Sequence, residues 1–153
     1  LASITDTKGG KKMSDKEIDA ATASLLRELR QLSEGLWYVS ETDAPLEVVQ
    51  YPAQGEKELT HAQLADWAGK PAGATVEKAE LPYFFRNMTK ESEGATEEER
   101  RDAQRFQELQ RFLEQHLQHV QVYRVGQRSI TAFILGEAPA GNLVGLKTEL
   151  VET

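Results

Sequence analysis

The last third of the chain commits it to a sheet. "VQVYRVG" (120–126), "SITAFILG" (129–136) and "LVGLKTELV" (143–151) are rich in β-branched and aromatic residues, the side chains that pack well on a pleated surface. Only a few residues around Gly126-Gln127 separate the first two runs, a gap that a hairpin spans and a parallel crossover does not. Ala138-Pro139-Ala140-Gly141-Asn142 supplies the next turn. The third run then continues to the third residue from the end. Chain ends usually fray, so this degree of definition predicts an end held by a strand. Glu149, Glu152 and the carboxylate of Thr153 crowd that end.

Helices precede and interleave with these strands. "SDKEIDAATASLLRELRQLSEG" carries Ile18, Leu25, Leu29 and Leu32 along one side, with Ala21, Thr22 and Leu26 nearby. Ser14 with Glu17 forms a capping box at its start, and Gly35 stops it. Thr60 with Gln63 predicts a short second helix closed by Gly69, and Pro82 opens a helical turn in "PYFFRNM". Thr96 with Glu99 starts the strongest helix, where Phe106, Leu109, Phe112, Leu113 and Leu117 repeat at helical spacing. Glu97, Glu98 and Glu99 occupy its first turn, where the helix dipole favours negative charge. Between these lie "LEVVQY", a strand halted by Pro52, and a further strand around Val76 to Leu81. Trp37, Tyr38 and Val39 are apolar enough to be buried, ahead of a polar turn "SETDAP". The expectation is an α/β fold with a mostly antiparallel sheet covered by helices. Residues 1–13 are read as a flexible leader or cloning remnant, with Met13 a natural start, and 14–153 as a single domain.

Composition narrows the function classes. With no cysteine there is no thiolate chemistry and no Cys-ligated zinc. The net charge is −7, and residues 1–12 contribute +2, leaving −9 on the remainder. Such a surface repels nucleic acid and is steered toward basic proteins. No apolar run approaches the ~20 residues of a membrane span.

Few residues carry chemistry. There is no G-x-S-x-G elbow, Walker loop or G-x-G-x-x-G cradle, and "GNLVG" reads as a turn. His116 and His119, three apart and close to Glu114, lack a clear third ligand for zinc. Arg100, Arg101, Arg105 and Arg111 interleave with Glu and Gln, the pattern of a solvated helix face. The acidic features stand out more. Glu91, Glu93 and Glu97–Glu99 put five carboxylates in nine residues, and Glu41 and Asp43 sit in the turn between Ser40 and Pro45. A pocket beside Glu41, following the apolar Trp37–Val39, would suit an acid–base role with His61 or another acid. A domain this small with no evident cleft argues against glycosidase-like chemistry.

"QVYR", "GE-x-PAGNL" at Gly136 to Leu143, and the closing "VET", all within 121–153, resemble the nuclease A inhibitor family. "EGLWYVSETDAP", Phe84-Phe85 and "RFQEL" at Arg105 to Leu109 extend the resemblance over about residues 25–153. It implies an α-β-α sandwich similar to the pathogenesis-related-protein fold, with no enzymatic activity and no cofactor. It also implies that acidic groups block the active site of a sugar-non-specific, magnesium-dependent nuclease. The family's metal-directed positions fall on Glu41 and Thr153, with Asp43, Glu93 and Glu152 as electrostatic support. The resemblance further suggests an acidic residue followed by an aromatic anchor before the long helix. Here Glu93 keeps the charge and Gly94 follows it. The implied protein is a cytoplasmic nuclease inhibitor, a monomer when free, binding neither nucleic acid nor membrane. The alternative is a non-catalytic binding module for another basic protein.

Overall fold

The computed structural model describes residues 19–55 and 57–152. The chain runs α1 (Ala20–Ser33), β1 (Trp37–Val39), β2 (Asp43–Pro45), β3 (Glu47–Tyr51), α2 (His61–Ala68) and β4 (Val76–Ala79). It continues through α3 (Leu81–Phe84), α4 (Glu97–His116), β5 (Gln118–Val125), β6 (Ser129–Glu137) and β7 (Leu143–Val151). Five strands form one sheet in the order β3-β7-β6-β5-β4, every neighbouring pair antiparallel. The three closing runs are thus its three central strands.

Alternation along these strands builds two cores. On one face Val122, Ala132, Ile134, Val144, Leu146 and Leu150 pack under α1, α3 and α4. Their helical partners are Leu25, Leu26, Leu29, Phe85, Phe106, Leu109 and Leu113. On the other face Val49, Tyr51, Val125, Phe133, Leu135 and Leu143 receive Leu64 and Ala65 of α2. Helices on both sides of a mainly antiparallel sheet make this an α/β/α sandwich. Each fully buried Leu or Phe here contributes about 1.5–3 kcal/mol relative to exposure.

Local chemistry sets the element ends. The Thr60/Gln63 and Thr96/Glu99 capping boxes both form, and Gly69 ends α2 in the left-handed conformation. The described part of α1 starts at Ala20, with the Asp19 carboxylate accepting from Thr22 N at 2.9 Å. The Ser14–Glu17 box and Ile18 lie outside the described residues. At Gly145 the β6 backbone leaves no room for a side chain. A Cβ there would stand 1.7 Å from the Ile134 carbonyl oxygen, so only glycine fits.

The expectation that Trp37, Tyr38 and Val39 are all buried is corrected. Tyr38 alone turns inward, stacking on Phe84 at 4.5 Å and donating its hydroxyl to the Phe84 carbonyl at 2.8 Å. Trp37 and Val39 are 51% and 52% exposed. The reason is the strand period. Among the described residues β1 pairs only with β2, so one face of this two-stranded ribbon packs inward and no described layer lies above the other. The polar "SETDAP" turn also shortens, because Asp43–Pro45 is itself a strand.

Candidate partner-binding edge

Two short segments far apart in sequence meet at one end of the sheet. The β1–β2 turn, Ser40–Thr42, is closed by Ser40 N donating to the Thr42 carbonyl at 2.9 Å. The Ser40 hydroxyl accepts from Val151 N at 3.2 Å, and Glu41 N donates to the Val151 carbonyl at 3.3 Å. Further along the ribbon, Thr148 Oγ1 donates to the Pro45 carbonyl at 2.9 Å. The turn that carries exposed Glu41 is therefore bonded to the final strand.

The residue after that strand is anchored from the opposite side. Glu152 N donates to the Arg128 carbonyl at 3.0 Å. Its carboxylate pairs with Arg124 at 2.5 Å, and a second Arg124 nitrogen reaches Glu77 at 3.0 Å. Glu152 is thus engaged within the chain, in the manner of a clamp. Glu149 is similarly held by the Thr131 hydroxyl at 2.9 Å. Thr153 lies outside the described residues.

Asp43 and Glu93, fifty residues apart in sequence, line one groove of about 930 Å³. One wall is the outer face of the ribbon: Trp37, Val39 and Asp43. These share a face because Val39 pairs directly with Asp43 across the two strands. The opposite wall is the loop before α4, including Lys90, Glu93 and Gly94, and α4 adds Glu99 and Asp102. Gln107 Nε2 donates to the Thr89 carbonyl at 2.8 Å, tying that loop to α4. Gly94 has φ +82° in a turn closed by Ala95 N to the Ser92 carbonyl at 3.1 Å. A β-carbon there would find open space but a strained backbone. The turn itself calls for glycine where the resemblance suggests an aromatic.

Other candidates separate. His116 ends α4 and stacks on Phe112 at 4.3 Å. His119 belongs to β5, at φ +55° in a register shift between Gln118 and Gln121, with Glu137 3.3 Å away. The helix ends too early to place both imidazoles on one face. Among the described residues no group of three or more His, Asp or Glu is arranged to hold a metal ion. His61 begins α2, on the face of the sheet opposite the one that Tyr38 of the ribbon packs against. A second concavity of about 530 Å³ lies beside His119 and Tyr123, lined by Lys57, Lys78, Glu58 and Glu137. Burial pushes the Tyr123 hydroxyl above its ordinary pKa. Its mixed charges select neither cation nor anion. No helix among the described residues is long and apolar enough to cross a membrane.

Trp37 and Val39 are the residues of this candidate groove that sequence reasoning missed. The available signal was their i, i+2 spacing next to a polar turn, which places both on the same side of an extended strand.

An α/β/α sandwich with an acidic groove, an exposed tryptophan and a hairpin turn bonded to its last strand defines an acidic protein with a candidate partner-binding edge. The chain belongs to the nuclease A inhibitor-like protein family, whose model matches residues 23–153. No curated protein sequence matches it.

Proposed function

We propose that this protein inhibits a sugar-non-specific, magnesium-dependent nuclease by occupying its active site without turnover. The observation that carries the reading is the bonding of the Glu41 turn to Val151. It puts Glu41 beside the strand end that leads through Glu152 to Thr153. In the proposed complex Glu41 and Thr153 approach the nuclease's metal, directly or through water. Carboxylates are hard oxygen ligands that can replace phosphate oxygens around magnesium. Asp43 and Glu93 face the basic side chains that otherwise neutralise phosphates, and Glu152 supports the tail through Arg124. A strand end fixed through Val151 and Glu152 before binding loses little entropy on docking. The net charge of −7 speeds encounter with a basic groove.

The test is titration of DNA cleavage by such a nuclease at low and moderate salt. Stoichiometric inhibition that weakens with salt is expected. Glu41→Ala, and separately deletion of Thr153, should each weaken inhibition by about 2 kcal/mol, roughly thirtyfold, with an unchanged melting temperature. Unaltered inhibition in both variants rejects these two residues as the metal-directed groups. Capture of a basic protein without inhibition of any nuclease would favour the binding-module reading instead.

A further inference from the structure

The groove between the ribbon and α4 combines two features that call for one kind of occupant. Trp37 presents an indole that is 51% exposed, and among the described residues no ring or guanidinium stacks on it. The groove that it lines also holds Asp43, Glu93, Glu99 and Asp102, with Lys90 as the one cation among the described lining residues. An exposed aromatic face beside carboxylates suits a planar cation. A guanidinium stacks on the ring while donating paired hydrogen bonds to a carboxylate, which a lysine ammonium cannot do in the same geometry. The molecule already contains such a contact: Arg86 lies over the Tyr83 ring at 3.7 Å from its centroid. Tyr83 is thus capped by its own chain, and among the described residues Trp37 is not.

We propose that the Trp37 groove is the seat of an arginine from the partner's phosphate-binding surface, with Trp37 as the aromatic anchor and Asp43 and Glu93 as its charged walls. This rests on the inhibitor reading for the identity of the partner, and it adds a residue and a chemistry that the Glu41–Thr153 assignment does not contain. Trp37 and Val39 precede the Glu41 turn directly. An arginine in the groove would therefore lie beside the metal-directed tip, as arginines that hold flanking phosphates would lie beside a nuclease's metal.

The experiment titrates the full chain with hexa-arginine and hexa-lysine peptides at low ionic strength. The indole N–H signals of Trp37 and Trp67, the chain's two tryptophans, serve as reporter and internal control. Hexa-arginine should move the Trp37 signal, leave Trp67 in place, and bind about tenfold more tightly than hexa-lysine. Trp37→Ala should bring the two peptides to equal affinity, Trp37→Phe should keep part of the difference, and Asp43→Asn should weaken both. A Trp37 signal unmoved at saturation, or equal affinity of the two peptides for the unaltered chain, overturns the proposal. The nuclease assay separates the two readings. An unaltered chain that inhibits no nuclease defeats the inhibitor reading, while the peptide titration still judges the groove. If the unaltered chain inhibits, Trp37→Ala should weaken inhibition about tenfold, and unchanged inhibition by that variant overturns the groove assignment.

Discussion

The chain's two tryptophans occupy opposite kinds of surroundings. Trp67, on α2, stacks on Tyr51 with centroids 3.9 Å apart and meets Phe133 edge-on at 6.5 Å. Those contacts complete the second core, since Tyr51 and Phe133 are buried sheet residues. Trp37 stands on a three-residue strand with half its surface exposed. One aromatic closes a layer, and the other faces a groove that the described residues leave open. The difference follows from what lies beneath each. A five-stranded sheet offers α2 a broad apolar face, whereas a two-stranded ribbon can bury only one of its own.

If that contrast is right, substitution at Trp67 is costly. Trp67→Ala removes the cover over Tyr51 and should cost about 2–3 kcal/mol, a discounted value for a large side chain that is mostly but not fully buried. Urea denaturation measures it, and a loss below ~0.5 kcal/mol would erase the distinction between the two faces. Alkaline pH probes the same layer. Burial, with a smaller contribution from the charge of Glu47, pushes the Tyr51 hydroxyl up to about 12. The unfolded chain gives up this proton near ~10, so above that pH the unfolded state is favoured first. The contribution is intact below pH ~10 and is lost between ~10 and ~12, amounting to about 2–3 kcal/mol. Tyr51→Phe should remove that part of the alkaline loss, as read from stability measured across this range.

What the sequence disclosed was local. The capping boxes at Thr60 and Thr96 and the three closing strands were legible because each is written within a few adjacent residues. The exposure of Trp37 was not, because a three-residue strand is too short for alternation to reveal which side faces the core. Nor was the role of Arg105. It reads as part of a solvated helix face, yet it reaches across to the Leu32 and Glu34 carbonyls at 3.1 and 2.7 Å. Those carbonyls lie at the end of α1, where helical partners run out, and only tertiary structure brings them near. The candidate site is legible in the same uneven way. Glu41, Asp43 and Glu93 stood out as acidic residues in turns. The sharing of one groove by Asp43 and Glu93, and the pairing of Glu152 with Arg124, depend on how distant segments come together.

The smaller effects lie on the ribbon and sharpen the contrast from its side. Ser40→Ala deletes the hydroxyl that accepts from Val151 N and donates to the Thr42 carbonyl at 2.9 Å, and should cost about 1–2 kcal/mol, the net value of one to two hydrogen bonds. Its sharper signature is local: the Val151 amide should exchange faster with solvent while amides of β6 keep their protection. Trp37→Ala should change folding stability least, by no more than ~0.5 kcal/mol, because the indole is 51% exposed and belongs to neither core cluster. That near-zero value is informative beside Trp67→Ala. A large apolar side chain that the fold does not need, kept on the rim of an acidic groove, is better explained by a partner than by packing. A stability loss approaching that of Trp67→Ala would instead make Trp37 a structural residue and remove the reason for assigning it to an interface.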